Sequence, residues 1–66
     1  MKKMDHAACQ KRMKSLPIES LYFILKDATE AAECAEEMGR FESSGYYRDE
    51  AHYAGMEIKR RQESRG

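Results

Sequence analysis

The sequence predicts an all-α protein: an antiparallel two-helix hairpin that dimerises into a four-helix bundle, with a short basic N-terminal arm or helix at residues 1–14. Three observations predict it. Ile18, Leu21, Leu25, Ala28, Ala32 and Ala35 recur at alternating spacings of three and four, which is one buried stripe of a helix. A second stripe of Tyr47, Ala51, Ala54 and Ile58 follows a short Gly- and Ser-containing break. Finally, the chain has 66 residues, and a domain of about that size buries only about 60% of its unfolded surface, so it usually needs a disulfide, a metal or a partner copy for stability.

The first helix is expected over residues 17–38. Ser15 or Leu16 stands at the cap position, and Pro17 falls in the first turn, where its missing N–H costs no hydrogen bond. Ala31, Glu30, Glu33, Glu36 and Glu37 are strong helix formers, and Gly39 is placed to end the helix. A loop at 39–45 follows, with Ser43 and Ser44 as candidate caps for a second helix over 46–62. Asp49 and Glu50 near its start, and Lys59, Arg60 and Arg61 near its end, suit the helix dipole. The hairpin thus occupies residues 15–66. Folding the chain about residues 41–42 sets Leu25 opposite Ile58, Ala28 opposite Gly55 and Ala32 opposite Ala51. Gly55 then reads as a point of close backbone approach, because a helical glycine otherwise costs about 1 kcal/mol relative to alanine. Met4, Ala7, Ala8 and Met13 line one face of residues 1–14 if these are helical.

The first half of the first helix is apolar nearly all round, with Leu21, Tyr22, Phe23, Ile24 and Leu25 in succession. One neighbouring helix cannot cover all of these, so a second copy or another protein is expected to. The run is far shorter than the ~20 residues a membrane span needs. The charged N-terminus has no apolar stretch behind it, so no secretory leader is expected. Two cysteines, Cys9 and Cys34, are too few for a secreted disulfide framework. A cytoplasmic protein with reduced thiols is the expectation.

Motifs for catalysis or cofactor binding are weak, and neither a catalytic residue nor a cofactor is expected. Asp49-Glu50-Ala51-His52 spells a helicase box, but no Gly-rich phosphate loop accompanies it and the stretch reads as helix. His6 and Cys9 make half a zinc site, and a structural site needs four ligands. Glu30, Glu33 and Glu37 share a helix face, and Asp49 and His52 are i, i+3 neighbours. In a dimer these offer an alternative reading as ligands of a metal-dependent all-α enzyme, although a solvated acidic face is the simpler explanation.

Charge and aromatics carry more. Net charge is zero, yet bases concentrate at both ends and acids in the middle. A hairpin gathers Lys11, Arg12, Lys14, Lys59, Arg60 and Arg61 at one end, an alternative nucleic-acid patch. The acidic opposite end opposes binding along a duplex. Phe41, Tyr46, Tyr47 and Tyr53 form an aromatic cluster. Tyr47 belongs to the core stripe, while Tyr22, Phe23, Tyr46 and Tyr53 are the candidate partner-binding residues, since aromatics anchor interfaces.

The stretches SLYFILKDATEAAE (Ser20 to Glu33) and GYYRDEAHYAGMEIKRRQ (Gly45 to Gln62) resemble small uncharacterised proteins encoded by bacteriophages and prophages. The resemblance spans Ser15 to Gln62. It implies an accessory protein that acts inside the bacterial cell by binding and modulating a host protein, such as a defence system or the transcription machinery. It transfers no functional residue.

Overall fold

A computed structural model describes residues 5–64; Lys2, Lys3, Met4 and Arg65 lie outside the described residues. Three helices follow in order: α1 (His6–Ser15), α2 (Ile18–Glu37) and α3 (Phe41–Ser64). No strand occurs among the described residues. No helix among them is long and apolar enough to cross a membrane.

Most of the N-terminal segment is helical because both of its ends are specified. Asp5 caps α1, its carboxylate accepting the Ala8 N–H at 3.1 Å. Arg12 and Lys14 fall in the last turn, where cations favour the dipole. The ring of Pro17 disfavours helical geometry at the residue before it. Leu16 is accordingly extended at φ −86°, ψ 147°, and α1 stops there.

Pro17 itself occupies the cap position of α2, extended at ψ 157°. Its carbonyl accepts the first helical N–H groups, from Ser20 at 3.0 Å and Leu21 at 3.3 Å. The helix therefore begins one residue later than expected, and neither Ser15 nor Leu16 caps it. The Ser15 hydroxyl instead donates to the Arg12 carbonyl at 2.8 Å, inside α1. At the other end Gly39 has φ +73°. The Arg40 N–H donates to the Ala35 carbonyl at 2.7 Å and the Gly39 N–H to the Glu36 carbonyl at 3.0 Å, the paired bonds of a left-handed glycine cap.

The larger departure follows directly. The expected loop at 39–45 contracts to Met38, Gly39 and Arg40, and α3 starts at Phe41 rather than Tyr46. Ser43 and Ser44 lie in the first turn of α3 and do not cap it. Ser44 is buried, and its hydroxyl donates to the Glu36 carboxylate at 3.0 Å. The Arg48 guanidinium grips the same carboxylate. These contacts fasten the start of α3 to the end of α2 and override the poor helix propensity of Ser43-Ser44-Gly45.

Further along, the Gln62 amide donates to the Tyr22 hydroxyl at 3.3 Å, beside the start of α2. From Glu36–Ser44 to Tyr22–Gln62, α3 advances while α2 recedes. Along α2, Leu21, Ala28, Ala32 and Ala35 are buried; on α3, Ala54 and Ile58 are. Ile18, Leu25, Tyr47 and Ala51, the rest of the two expected stripes, are half-buried. α1 lies against α3, adding Cys9 and Met13 to a core cluster with Leu21, Ala54 and Ile58. The molecule is elongated, 42 × 20 × 15 Å.

Gly55 does not serve as a close-approach point. A Cβ built there would meet only the Leu25 Cδ1 atom, at 3.9 Å, an ordinary contact. At Gly45 a Cβ would meet nothing within 4 Å. Gly55→Ala and Gly45→Ala should therefore each stabilise the protein by about 0.5–1 kcal/mol, because alanine is the better helix former. Gly39→Ala should destabilise it by about 1–2 kcal/mol, since the left-handed conformation there penalises a side chain. Urea unfolding midpoints of the three variants check all three signs.

Candidate interaction surface

The most densely bonded side chains join α3 to α1. Glu57 is only 5% exposed, an unusual place for a carboxylate. It is matched by two guanidinium groups from the following turn. Arg60 donates to it from Nε at 2.9 Å and Nη2 at 2.6 Å, and Arg61 from Nε at 2.8 Å. The Arg60 bonds, with the help of Arg61, hold the Glu57 carboxyl down at about 2 against the opposing effect of burial. The Arg60 guanidinium is pushed up in return.

Arg61 faces the other way with its terminal nitrogen. Its Nη2 donates to the carbonyls of Met13 at 3.2 Å, Lys14 at 3.1 Å and Leu16 at 2.6 Å. The Met13 carbonyl also accepts the Leu16 N–H at 3.4 Å, while the Lys14 carbonyl is among the last that a helix end leaves without N–H partners, and Leu16 follows it. Arg61 thus caps α1 from α3, and Glu57 orients it. Two outer contacts complete the dock. Arg12 pairs with Glu50 at 3.1 Å, and the Tyr53 hydroxyl lies 2.7 Å from His6 Nδ1.

This dock uses residues that the sequence assigned elsewhere. Of the six cations expected to gather as a nucleic-acid patch, Arg12, Lys59, Arg60 and Arg61 each have a carboxylate within 4 Å. Arg61 also points inward. Lys11 and Lys14 are exposed with no acidic partner among the described residues. Tyr53 packs on the core, and its ring meets those of His6 and His52 edge-on. Tyr46 is half-buried, its ring edge-on to Tyr47 at 5.8 Å, beside Ala8, Cys9 and Arg12. Tyr46 and Tyr53, two of the three tyrosines expected at an interface, thus have ring partners within the chain.

Glu30, Glu33 and Glu37 are exposed on α2, and Asp49 and His52 on α3. Among the described residues no three His, Cys, Asp or Glu side chains come together to hold a metal ion. Cys9 lies in the core, where burial pushes its thiol up, and Cys34 is exposed.

The outer side of α2 remains. Phe23 is 69% exposed and Tyr22 is half exposed. Successive helical residues point about 100° apart, so the two rings diverge. Tyr22 leans toward Gln62 of α3, while Phe23 lines an open groove of about 450 Å³ with Arg12, Leu16, Glu19, Ser20 and Ile24. Glu19 and Asp27 stand one turn to either side of the rings with Lys26 next to Asp27, and Glu30, Glu33 and Glu37 follow farther along α2; all five acids are exposed and none has a basic partner within 4 Å among the described residues. Smaller exposed apolar groups are Met56 on α3 and the pair Met38 and Phe41 at the α2–α3 turn. No family model, curated protein or solved structure matches the chain.

Apolar periodicity passes over Glu57, and Arg61 reads from the sequence only as one of the cations at the basic end. Glu50, Ala54, Glu57 and Arg61 do recur at spacings of four, three and four, a stripe written in charge rather than in carbon.

The carboxyl of Glu57 lies near 2 when folded, below its ordinary value of 4.5. It therefore stabilises the fold at and above pH 4.5, and that contribution is lost as pH falls toward 2. Glu57→Gln should lower stability at pH 7 by about 1–3 kcal/mol, the cost of losing charged hydrogen bonds at a buried site. It should also flatten the acid limb of the stability–pH curve between 4.5 and 2, measured by urea unfolding at stepped pH. Arg61→Met should expose α1 amides to hydrogen exchange while those of Ala28 to Ala35 stay protected.

Proposed function

We propose that the chain is a small non-catalytic protein-interaction module, which pairs with itself and binds and modulates a host protein in the bacterial cytoplasm as a phage accessory protein. In this reading the hairpin of α2 and α3 is the scaffold and α2 presents the contact surface. One observation carries it. Tyr22 and Phe23 stand exposed on diverging flanks of α2, a helix whose five exposed carboxylates have no basic partner among the described residues. Exposed aromatic anchors on a helix of mostly acidic charge, with Lys26 its one basic group, suit binding hot spots and electrostatic selection of a partner. The phage and host assignments rest on the resemblance of Ser20 to Glu33 and Gly45 to Gln62.

The unpaired acids give the surface a sign. A partner with basic groups around an apolar pocket would meet Glu19, Asp27, Glu30, Glu33 and Glu37 without like-charge repulsion. Nucleic acid would not, and the cations that favour it are largely paired with carboxylates.

The tagged full chain, passed through bacterial lysate at low and high salt, should retain one host protein at stoichiometric amount. The Tyr22→Ala/Phe23→Ala variant should lose that protein while its circular dichroism stays helical. Equal capture by the variant would refute the surface assignment. Capture of nucleic acid that is released by salt would favour the basic end instead.

A further inference from the structure

We propose that the groove between α1 and α2 is the self-association site, and that its occupant is the same groove of a second copy. The inference rests on the self-pairing part of the reading above and gives it a surface. Leu16 and Ile24 are half-buried within the groove, so their partial cover comes from the chain itself and the remainder faces outward. Phe23 stands on the α2 side, 69% exposed. Nothing within the described chain covers that ring.

Charge identifies the occupant. The α1 side of the groove carries Arg12, still 54% exposed beside its own Glu50, with Lys11 next to it; the α2 side carries Glu19, with Lys26 and Asp27 one turn beyond Phe23. The α1 rim is thus basic, and the α2 rim, with two acids against Lys26, is acidic on balance. When two such grooves meet about a two-fold axis running along them, the α1 rim of each lies over the α2 rim of the other. Arg12 then faces Glu19 of the second copy, and Glu19 faces its Arg12. Each Phe23 reaches the partner's α1 rim, where an apolar floor and a guanidinium suit an aromatic ring. A closed isologous contact needs this self-complementarity. A two-fold axis across the grooves would instead set like charges against each other.

The core makes such a contact useful. Met13 and Leu21 are the only large side chains that are fully buried among the described residues, and a chain of this size usually requires an additional source of stability. The four helices at this contact are α1 and α2 of each copy, with α3 behind. Tyr22, on the other flank of α2, stays available.

Sedimentation equilibrium of the full chain across micromolar concentrations tests the proposal, with Phe23→Glu and Glu19→Arg as variants and Phe41→Glu as control. Phe23 and Glu19 are exposed, so both variants should keep their helicity. Phe41 is 73% exposed at the far turn. The expected result is a wild-type dimer whose Kd rises at least about tenfold in Phe23→Glu and in Glu19→Arg and is unchanged in Phe41→Glu. A dimer unaffected by the first two variants overturns the groove assignment while leaving self-pairing intact. A wild-type protein that is monomeric at every concentration overturns both. Equal weakening by Phe41→Glu also overturns the groove assignment.

Discussion

The contact between Glu57 and Arg61 decides whether the molecule has three packed helices or two. α1 has ten residues, fewer than an isolated helix needs to hold its shape in water. It ends at Leu16 and Pro17 without a glycine to close its last turn, and local donors reach the Arg12 and Met13 carbonyls of that turn. Arg61 reaches further, and Glu57 fixes the guanidinium so that its far nitrogen meets Met13, Lys14 and Leu16 together. With α1 seated, Met13 and Cys9 close over Leu21, Ala54 and Ile58. Without it, that cluster would lose one wall. The burial of a carboxylate is tolerated because two cations meet it; a lone buried charge would be costly.

The parts of the fold that were legible are those written in apolar spacing. The α2 stripe from Ile18 to Ala35 and the α3 stripe from Tyr47 to Ile58 both turn inward, and Gly39 ends α2 with the left-handed backbone its position suggested. The start of α3 was not legible, because Phe41 to Gly45 has the composition of a loop. Its helicity comes from Ser44 and Arg48 reaching Glu36 across the turn, a tertiary effect that local propensity does not encode. Gly55 misled for a related reason. A glycine between two alanine-rich stripes suggests tight approach, yet Leu25 fills the space at ordinary contact distance.

The candidate interface residues differ in the partners they find within the chain. Phe23 is exposed, and Tyr22 is half exposed with its hydroxyl accepting from Gln62. Tyr46 and Tyr53 are on the side of α3 that α1 approaches, so the docking of α1 brings them partners. That docking could not be read from the charged residues 1–14 alone. The basic cluster illustrates the same limit: sequence proximity and hairpin geometry bring cations together, but not whether each already has an anion. Arg60 and Arg61 find theirs three and four residues back along their own helix.

A consequence for the surface follows from this pairing. The chain has equal numbers of acidic and basic residues, yet its contacts do not draw on them evenly. Glu57 engages two arginines and Glu36 a third, whereas the five exposed acids of α2 engage none among the described residues. Internal ion pairing therefore leaves α2 more acidic than the neutral chain would suggest, on the same helix that exposes Phe23. The dock that completes the core thus also bears on the sign of the outer surface, because Arg48, Arg60 and Arg61 are held by Glu36 and Glu57 and not by the exposed acids of α2. Stability and recognition here draw on one set of arginines. A substitution that loosens the Glu57 contact would free positive charge near the end of α3 while it uncovers the core, so folding and binding should change together rather than separately.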